Sequence, residues 1–265
     1  MQVISPRAKK GSAQNLIESL RRLKNQFDAS CLKLSTEDAA MSFEQIRFWT
    51  QLVEGVLPVM VKIGGPNARN DIKQLLALNI DGLIAPMVES VYGLENFLAA
   101  VRDFTTSLQM RRLIKQINIE TVTAVEQLDA ILASPEADLL DEITIGCSDL
   151  SQSLKMDRMD ADFQSLVRDV VARIKARNLK VSVGGGIAPN TIDDILRDIQ
   201  PHQFNTRVVT FSVQPGQSYR TAVVETLDFE LQMLEHDLKK GFISLDEEKF
   251  RACQLRKRLA DSPPD

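Results

Sequence analysis

The amino-acid sequence predicts an α/β protein folded as a closed (β/α)8 TIM barrel, and three observations lead to this prediction. The chain has 265 residues, and one barrel of this class takes about 250. Short apolar runs alternate regularly with longer segments of helical period, which is typical of βαβ units and a parallel sheet. No linker rich in Pro, Gly or Ser interrupts the alternation, so we expect one barrel domain.

Seven apolar runs are predicted to be strands, at residues 30–35, 58–63, 81–86, 113–120, 142–146, 179–185 and 206–213. Apolar residues at helical spacing predict the helices between them, at residues 43–56, 67–79, 92–109, 122–133, 160–177 and 189–198. Extra helices are expected at about 12–27 before the first strand, and at 218–239 and 246–259 after the last one. The predicted parts are an N-terminal segment (1–27), a barrel (28–217) and a C-terminal helical tail (218–265) that packs on the barrel or a neighbouring subunit.

The eighth strand that a closed barrel requires is the least defined element of this prediction. Residues 2–5 (QVIS) are a candidate, although so short a run does not settle the count. The alternative fold is an open doubly wound sheet, which often carries a GxGxxG motif after its first strand. This chain has no such motif there, so the barrel is favoured.

Composition and charge exclude several classes of protein. A hydrophobic fraction of 44% excludes disorder, and an isoelectric point near 5.4 disfavours a nucleic-acid-binding module. Cys31, Cys147 and Cys253 are scattered and odd in number, so neither a disulfide framework nor a CxxC metal site is expected. No apolar run approaches the roughly 18 residues of a membrane helix, and the first residues lack the apolar core of a secretory signal. We therefore expect a cytoplasmic protein with no membrane or nucleic-acid partner.

Polar side chains interrupt strands that should be apolar on both faces. Gln116, Asn118 and Glu120 alternate along one predicted strand and share one of its faces, and Lys33 interrupts another strand. Lys62 ends a third strand. The polar residues are densest at the carboxyl ends of the strands, where barrel enzymes assemble their active sites. The pattern therefore predicts an active site at that end of the barrel.

Two carboxylates among these residues suggest a metal. Glu120 closes the strand QINIE, and Asp149 follows the strand EITIG in the segment IGCSDLS. Mg²⁺ in proteins takes one or two carboxylates and completes its shell with water and substrate. Two carboxylates from neighbouring strand ends predict a divalent-cation site with positions open to a chelating substrate.

Five segments together resemble the HpcH/HpaI aldolase and citrate lyase β-subunit family: STEDAA (35–40), VKIGG (61–65), APMVES (85–90), INIET (117–121) and IGCSDLS (145–151). The resemblance spans roughly residues 28–213. It implies a pyruvate kinase-like barrel that binds Mg²⁺ or Mn²⁺ and makes or breaks a carbon–carbon bond. The small-molecule substrate would be pyruvate, another 2-oxo acid or an acyl-CoA, reacting as its enolate. The resemblance also implies a homo-oligomer, a trimer or a hexamer.

The resemblance also implies roles for individual residues. Glu120 and Asp149 would bind the metal, and Glu37 and Asp38 would handle protons or lie directly behind the metal ligands. Lys62 stands where the family usually has an arginine that binds the substrate carboxylate and the enolate oxygen. The strand end APMVES would shape the pocket through Pro86, Met87 and Glu89. The segment IGCSDLS would offer backbone N–H groups to the substrate carboxylate from Gly146, Cys147 and Ser148.

The chain departs from the family pattern at three of these positions. Ser35 stands where lyase relatives usually carry Asp, and Asp38 replaces the histidine of the aldolase branch. Lys62 keeps the positive charge of the usual arginine but loses its bidentate fork for a carboxylate. These departures keep open a second hypothesis, a catalytically silent barrel that binds a 2-oxo acid or serves as a subunit of an assembly.

Three further residues or segments allow alternative interpretations. Gly184 to Gly186 form a glycine-rich loop before a helix, which is compatible with a phosphosugar-binding barrel isomerase or with a simple capped turn. Lys33 could form a Schiff base if it is desolvated, but an ion pair with Glu37 or Glu120 is the favoured prediction. Arg207 is expected either at the rim of the site or in solvent.

Overall fold

The computed structural model describes residues 13–260. The strands are β1 (Ala29–Ser35), β2 (Val59–Lys62), β3 (Gly82–Ala85), β4 (Ile114–Ile119), β5 (Glu142–Gly146), β6 (Lys180–Gly184), β7 (Gln203–Asn205) and β8 (Val209–Ser212). The helices are α1 (Ala13–Phe27), α2 (Phe43–Leu52), α3 (Arg69–Leu76), α4 (Val91–Asp103), α5 (Ser107–Arg112), α6 (Val122–Glu126), α7 (Leu128–Ala133), α8 (Cys147–Leu154), α9 (Ala161–Ala176), α10 (Ile192–Ile199), α11 (Arg220–Lys240) and α12 (Leu245–Ala260), with a short 3₁₀ helix at Pro135–Leu139. None of these helices in residues 13–260 is long and apolar enough to cross a bilayer.

The eight strands close into a barrel in sequence order, which confirms the predicted fold class. Strands β1 to β7 run parallel to one another, whereas β8 is antiparallel to its two neighbours, β7 and β1. A turn at residues 206–208 joins β7 to β8 in place of a helical crossover. The strand missing from the sequence prediction is β7, whose three residues are too few to form a recognisable apolar run. Residues 2–5 lie outside the described residues, and the barrel closes without them.

Side chains alternate between two very different environments along the strands. Those that point outward, such as Leu32 and Ile117, are buried with the helices in one large apolar core. The barrel interior is mostly polar at mid-height, where hydroxyl and amide groups bond to one another across the strands. Thr144 and Ser182 lie 2.7 Å apart, Asn205 donates to Ser182 at 2.8 Å, and Thr210 donates to Asn205 at 2.5 Å. Satisfying these buried groups with each other offsets the cost of removing them from water.

The antiparallel β8 determines where the C-terminal helices lie. Because β8 ends at the amino end of the barrel, next to Asp28, the chain must return along the outside to reach the other end. Helix α11 makes this return while packing on α1. Near its end, Asp237 accepts hydrogen bonds from Gln45 and Trp49 of α2, each at 2.8 Å. Helix α2 follows β1, so α11 ends close to the carboxyl end of the barrel.

Helix α12 then runs along the rim of the carboxyl end. Gly241 ends α11 in the left-handed region, with φ of 76°. The Arg251 side chain lies among residues at the end of β1, and the Arg258 guanidinium donates to the Ile187 carbonyl at 2.5 Å, just beyond β6. Helix α12 therefore contacts two sides of the barrel mouth, the carboxyl end of the strands.

We expect Gly82→Ala to lower the free energy of unfolding by about 1–3 kcal/mol. A Cβ at Gly82 would lie 2.7 Å from the Ile114 carbonyl oxygen and 2.3 Å from the Met60 sulfur, inside the barrel. The matched control is Gly93→Ala in α4, where the nearest atom lies at 3.5 Å and the gain in helix propensity is about 0.5–1 kcal/mol. Urea unfolding of both variants checks the prediction, and equal midpoints would contradict it.

Candidate active site

A cavity of about 220 Å³ opens at the mouth of the barrel. It is bordered by the ends of β1, β2, β4, β5 and β6, by the turn between β7 and β8, and by α12. Six residues predicted for the site lie in its wall: Asp38, Lys62, Glu120, Gly146, Ser148 and Asp149. A larger surface hollow, of about 610 Å³, lies at the opposite end of the barrel near Pro58 and Asp81. Active sites of barrels form at the carboxyl ends of the strands, so the mouth is the candidate site.

Glu120 follows β4 directly and is 2% exposed. One carboxylate oxygen accepts the Met87 N–H at 2.9 Å, and the other accepts from the Asn118 amide at 3.2 Å. Burial raises the pKa of Glu120, and the charge of Asp149 raises it further, although the Met87 N–H and the charge of Lys62 oppose the rise. Glu120 is therefore a buried, oriented carboxylate that is electrostatically coupled to Asp149.

Asp149 is the third residue of α8 and is exposed to the cavity side of the barrel mouth. Helix α8 begins at the cavity without a side-chain cap on Gly146, so its first N–H groups are available to an anion. Gly146 also leaves room for Glu120, since a Cβ there would lie 2.5 Å from a Glu120 carboxylate oxygen.

A divalent cation fits the donors at this end of the cavity. Glu120 and Asp149 repel each other, and an ion between them would relieve this repulsion. The Oδ1 atom of the buried Asn118, beside Glu120, has no hydrogen-bond partner. No group of three or more Asp, Glu, His or Cys side chains surrounds a metal position within residues 13–260. Water and substrate would therefore have to complete the shell, as is common for Mg²⁺.

Lys62 forms the cationic centre of the neighbouring part of the mouth. Its Nζ lies 2.6 Å from a Glu37 carboxylate oxygen and 3.8 Å from one of Asp38. Although burial alone would lower the pKa of Lys62, the Asp38 and Glu37 carboxylates raise it above its usual value. The Ser35 hydroxyl accepts the N–H groups of Glu37 and Asp38, each at 3.1 Å, and so fixes the loop that carries both acids.

Asp38 remains ionised in this surrounding. Burial favours its neutral form, but Lys62, the bond to Ser35 and the charge of Arg207 together hold the pKa of Asp38 below its ordinary value. An ionised carboxylate can accept a proton, although a low pKa makes it a weak base.

The other predicted site residues lie behind the cavity wall. Glu89 accepts a hydrogen bond from the Thr121 hydroxyl at 2.6 Å and links the loops after β3 and β4. Pro86 is buried beside Met87, whose backbone has φ of 53° and directs its N–H to Glu120. Cys147 lines a separate, mainly apolar cavity of about 240 Å³. Burial raises the pKa of the Cys147 thiol to about 12, so this group stays protonated.

Lys33 and Arg207 both line the candidate site. The predicted ion pair of Lys33 with Glu37 or Glu120 is wrong. Glu37 forms a salt bridge with Lys62 instead, and no salt bridge joins Lys33 to either acid. Arg207 is at the rim rather than in solvent. Its guanidinium donates to the Asp38 carbonyl at 3.2 Å and lies 3.7 Å from the carboxylate of the buried Glu230.

The sequence did not indicate several residues of the cavity wall, among them Asn205 and Arg258. Asn205 belongs to the three-residue β7, too short to recognise. Arg258 lies in the polar segment RKR of the tail. Helix α12 reaches the mouth only because β8 runs antiparallel to its neighbours, and no local pattern in the sequence predicts that direction.

Comparisons with known proteins agree with this fold. The family model for HpcH/HpaI aldolase/citrate lyase matches residues 37–203. An HpcH/HpaI aldolase/citrate lyase family protein from Burkholderia cenocepacia J2315 has a TM-score of 0.57 at 16% identity, covering 71% of this chain and 80% of that one. Citrate synthase SbnG has a TM-score of 0.58 at 18% identity, covering 82% of this chain and 90% of that one. The HpcH/HpaI aldolase from Desulfitobacterium hafniense DCB-2 has a TM-score of 0.56 at 18% identity, covering 72% of this chain and 82% of that one. No curated protein matches the sequence.

Proposed function

The chain belongs to the HpcH/HpaI aldolase/citrate lyase family, and from this premise we propose that it is a divalent-metal-dependent carbon–carbon lyase. The proposed substrate is a 2-oxo acid such as pyruvate, or an acyl-CoA, that reacts as its enolate. The observation that carries the proposal is the position of Glu120 and Asp149 in the wall of one cavity, with Lys62 in the same wall.

The family resemblance suggests each proposed role, and the local environment of the residue supports it. Glu120 and Asp149 would hold Mg²⁺ or Mn²⁺, and a bound divalent ion acts as a Lewis acid on a 2-oxo group. Lys62 supplies a fixed positive charge for the oxygen that becomes negative in the enolate. The first N–H groups of α8, from Cys147 and Ser148, would orient the substrate carboxylate. Glu37 keeps Lys62 in place, while Pro86 and Glu89 shape the wall from behind.

Asp38 is the proposed group that takes the proton from the hydroxyl of the aldol during cleavage. It lines the cavity and is ionised beside Lys62. We expect Asp38→Asn to lower the rate of aldol cleavage by about a hundredfold or more, within the range of general base catalysis. Unchanged turnover would remove Asp38 from the mechanism.

Proton exchange at C3 of pyruvate in D₂O tests the proposal directly. We expect the purified full chain with Mg²⁺ or Mn²⁺ to catalyse the exchange, observed by NMR, and EDTA to stop it. Glu120→Gln and Asp149→Asn should each abolish the exchange, because each removes a charged ligand. The control is Glu54→Gln, an exposed acid at the opposite end of the barrel, which should leave the exchange rate unchanged.

Two other outcomes would identify different functions. Binding of pyruvate without exchange would contradict the lyase and favour the silent barrel, a hypothesis that Ser35 and Lys62 support as departures from the family pattern. Retention on immobilised CoA, with exchange of an acyl-CoA and not of pyruvate, would place the enzyme in the acyl-CoA branch.

A further inference from the structure

A second cavity, of about 240 Å³, lies on the outer side of β6, between that strand and the helices α9 and α10. We call it the side cavity. Most of its wall is apolar, with the side chains of Phe163, Val183, Ile187, Ile195 and Ile199. An apolar cavity of about 150 Å³ already holds benzene, so the side cavity has room for the apolar body of a small organic molecule.

The side cavity is distinct from the candidate active site. Both cavities are lined by Gly185, Gly186 and Ile187, the turn after β6, whose glycines have φ of 87° and 72°. Apart from this turn, the described walls of the two cavities have no residue in common. A molecule in the side cavity would therefore contact the back of the turn and leave the barrel mouth open to substrate.

A cation lies in the wall of the side cavity. Arg158, in the loop between α8 and α9, lies so close to Gly186 that a Cβ on this glycine would overlap the Arg158 guanidinium. The Gln164 side-chain amide donates to the Arg158 carbonyl at 2.5 Å and ties this loop to α9. Burial raises the pKa of the Cys147 thiol in the same wall, and the charge of Arg158 opposes this rise. The positive charge of Arg158 therefore reaches the cavity.

The protein itself does not neutralise this cation. Among residues 13–260, no carboxylate forms a salt bridge with Arg158, and its guanidinium makes no hydrogen bond. Asp157 is the one acid in the described wall of the side cavity, and its carboxylate accepts the Met159 N–H at 2.8 Å within its own loop. Arg158 is half-buried, so an anion bound to it would be partly shielded from water. A carboxylate is the planar anion that matches the fork of N–H donors on arginine.

We propose that the side cavity binds a small monocarboxylate with an apolar body of about six carbon atoms, the size of benzene. Its carboxylate would bind the Arg158 guanidinium, and its apolar body would lie among Phe163 and the isoleucines of the wall. An uncharged molecule would leave the guanidinium without an anion, and a dicarboxylate would place its second charge against apolar side chains. This site goes beyond the proposed function, since no step of the lyase reaction uses it.

Calorimetric titration of the full chain with three probes tests the inference. Hexanoate has both parts of the proposed ligand, whereas hexanamide lacks the charge and acetate lacks the apolar body. We expect hexanoate to bind about tenfold or more tightly than either. Arg158→Gln should weaken hexanoate binding about tenfold or more, the loss expected for a charge-assisted hydrogen bond, and should change hexanamide binding less than about twofold. Arg256→Gln, at an exposed position of α12, is the matched control and should bind hexanoate as the wild type does.

A second variant locates the ligand without removing the charge. Ala188 lines the side cavity and not the candidate active site. Ala188→Leu should weaken hexanoate binding about tenfold or more, because the larger side chain fills part of the apolar space. Circular dichroism checks that each variant is folded, and either variant alone decides the test if the other does not fold.

Two results would overturn the inference. One is the absence of hexanoate binding, or an equal hexanoate affinity in wild type, Arg158→Gln and Ala188→Leu. The other is binding that is lost in Lys62→Gln but kept in Arg158→Gln, which would place the anion in the barrel mouth. None of these measurements depends on pyruvate exchange, so the inference can fail or hold independently of the proposed function.

Discussion

Replacing Gly146 with Ala is expected to lower the rate of pyruvate exchange by about a hundredfold, since a displacement of about 1 Å at a catalytic group can cost that much. The new Cβ would lie 2.5 Å from a carboxylate oxygen of Glu120 and 2.7 Å from its Cβ. The Cβ of Glu120 is fixed by the backbone of the β4 end, so the side chain cannot simply rotate away. Glu120 would lose its bonds to Met87 and Asn118.

The variant should remain folded, because the contact involves the cavity wall and not the apolar core. Gly64→Ala is the control at a neighbouring strand end, where the nearest atom to the added Cβ is a carboxylate oxygen of Asp71 at an ordinary 3.4 Å. Thermal unfolding of both variants and their exchange rates with Mg²⁺ are measured together. Full exchange activity in Gly146→Ala would show that the position of Glu120 is not critical to the reaction.

The sequence predicts the barrel well because its strands carry a local signal. Runs such as residues 81–86 are apolar on both faces, and each of the seven predicted runs overlaps a strand of the structure. The alternation of polar residues in β4 also predicts the interior face, since Gln116, Asn118 and Glu120 are all buried there. Strand β7 gives no such signal, and the reversal of β8 depends on a three-residue turn.

The candidate site is predictable only where a residue lies at the end of a recognisable strand. Glu120, Asp149 and Lys62 satisfy this condition. The environment of each side chain is not predictable in the same way. Lys33 and Lys62 are both lysines in predicted apolar strands, yet only Lys62 pairs with Glu37. The roles of the site residues, the metal and the trimer or hexamer stay predictions.

Asp237 is expected to make the stability of the protein depend on pH in a direction opposite to that of most carboxylates. Burial raises the pKa of Asp237 from 3.8 to about 6, although the hydrogen bonds from Trp49 and Gln45 oppose the rise. The folded protein therefore binds more protons than the unfolded chain between these two values. By linkage, its free energy of unfolding decreases as the pH rises through this range, by about 2–3 kcal/mol for this one group.

Asp237→Asn isolates this contribution, because the asparagine cannot ionise and the other groups stay the same. The amide still accepts a hydrogen bond from Trp49, and Gln45 can rotate its own amide to present an oxygen. Wild type should therefore be more stable relative to the variant at pH 4 than at pH 7, with the difference shifting by about 2–3 kcal/mol. Urea unfolding at several pH values measures this shift, and Asp246→Asn, at an exposed position of α12, controls for the loss of a carboxyl group. If the difference in free energy of unfolding between wild type and Asp237→Asn is the same at every pH, the prediction is contradicted. The hydrogen bonds from Trp49 and Gln45 would then compensate fully for the burial of the ionised carboxylate.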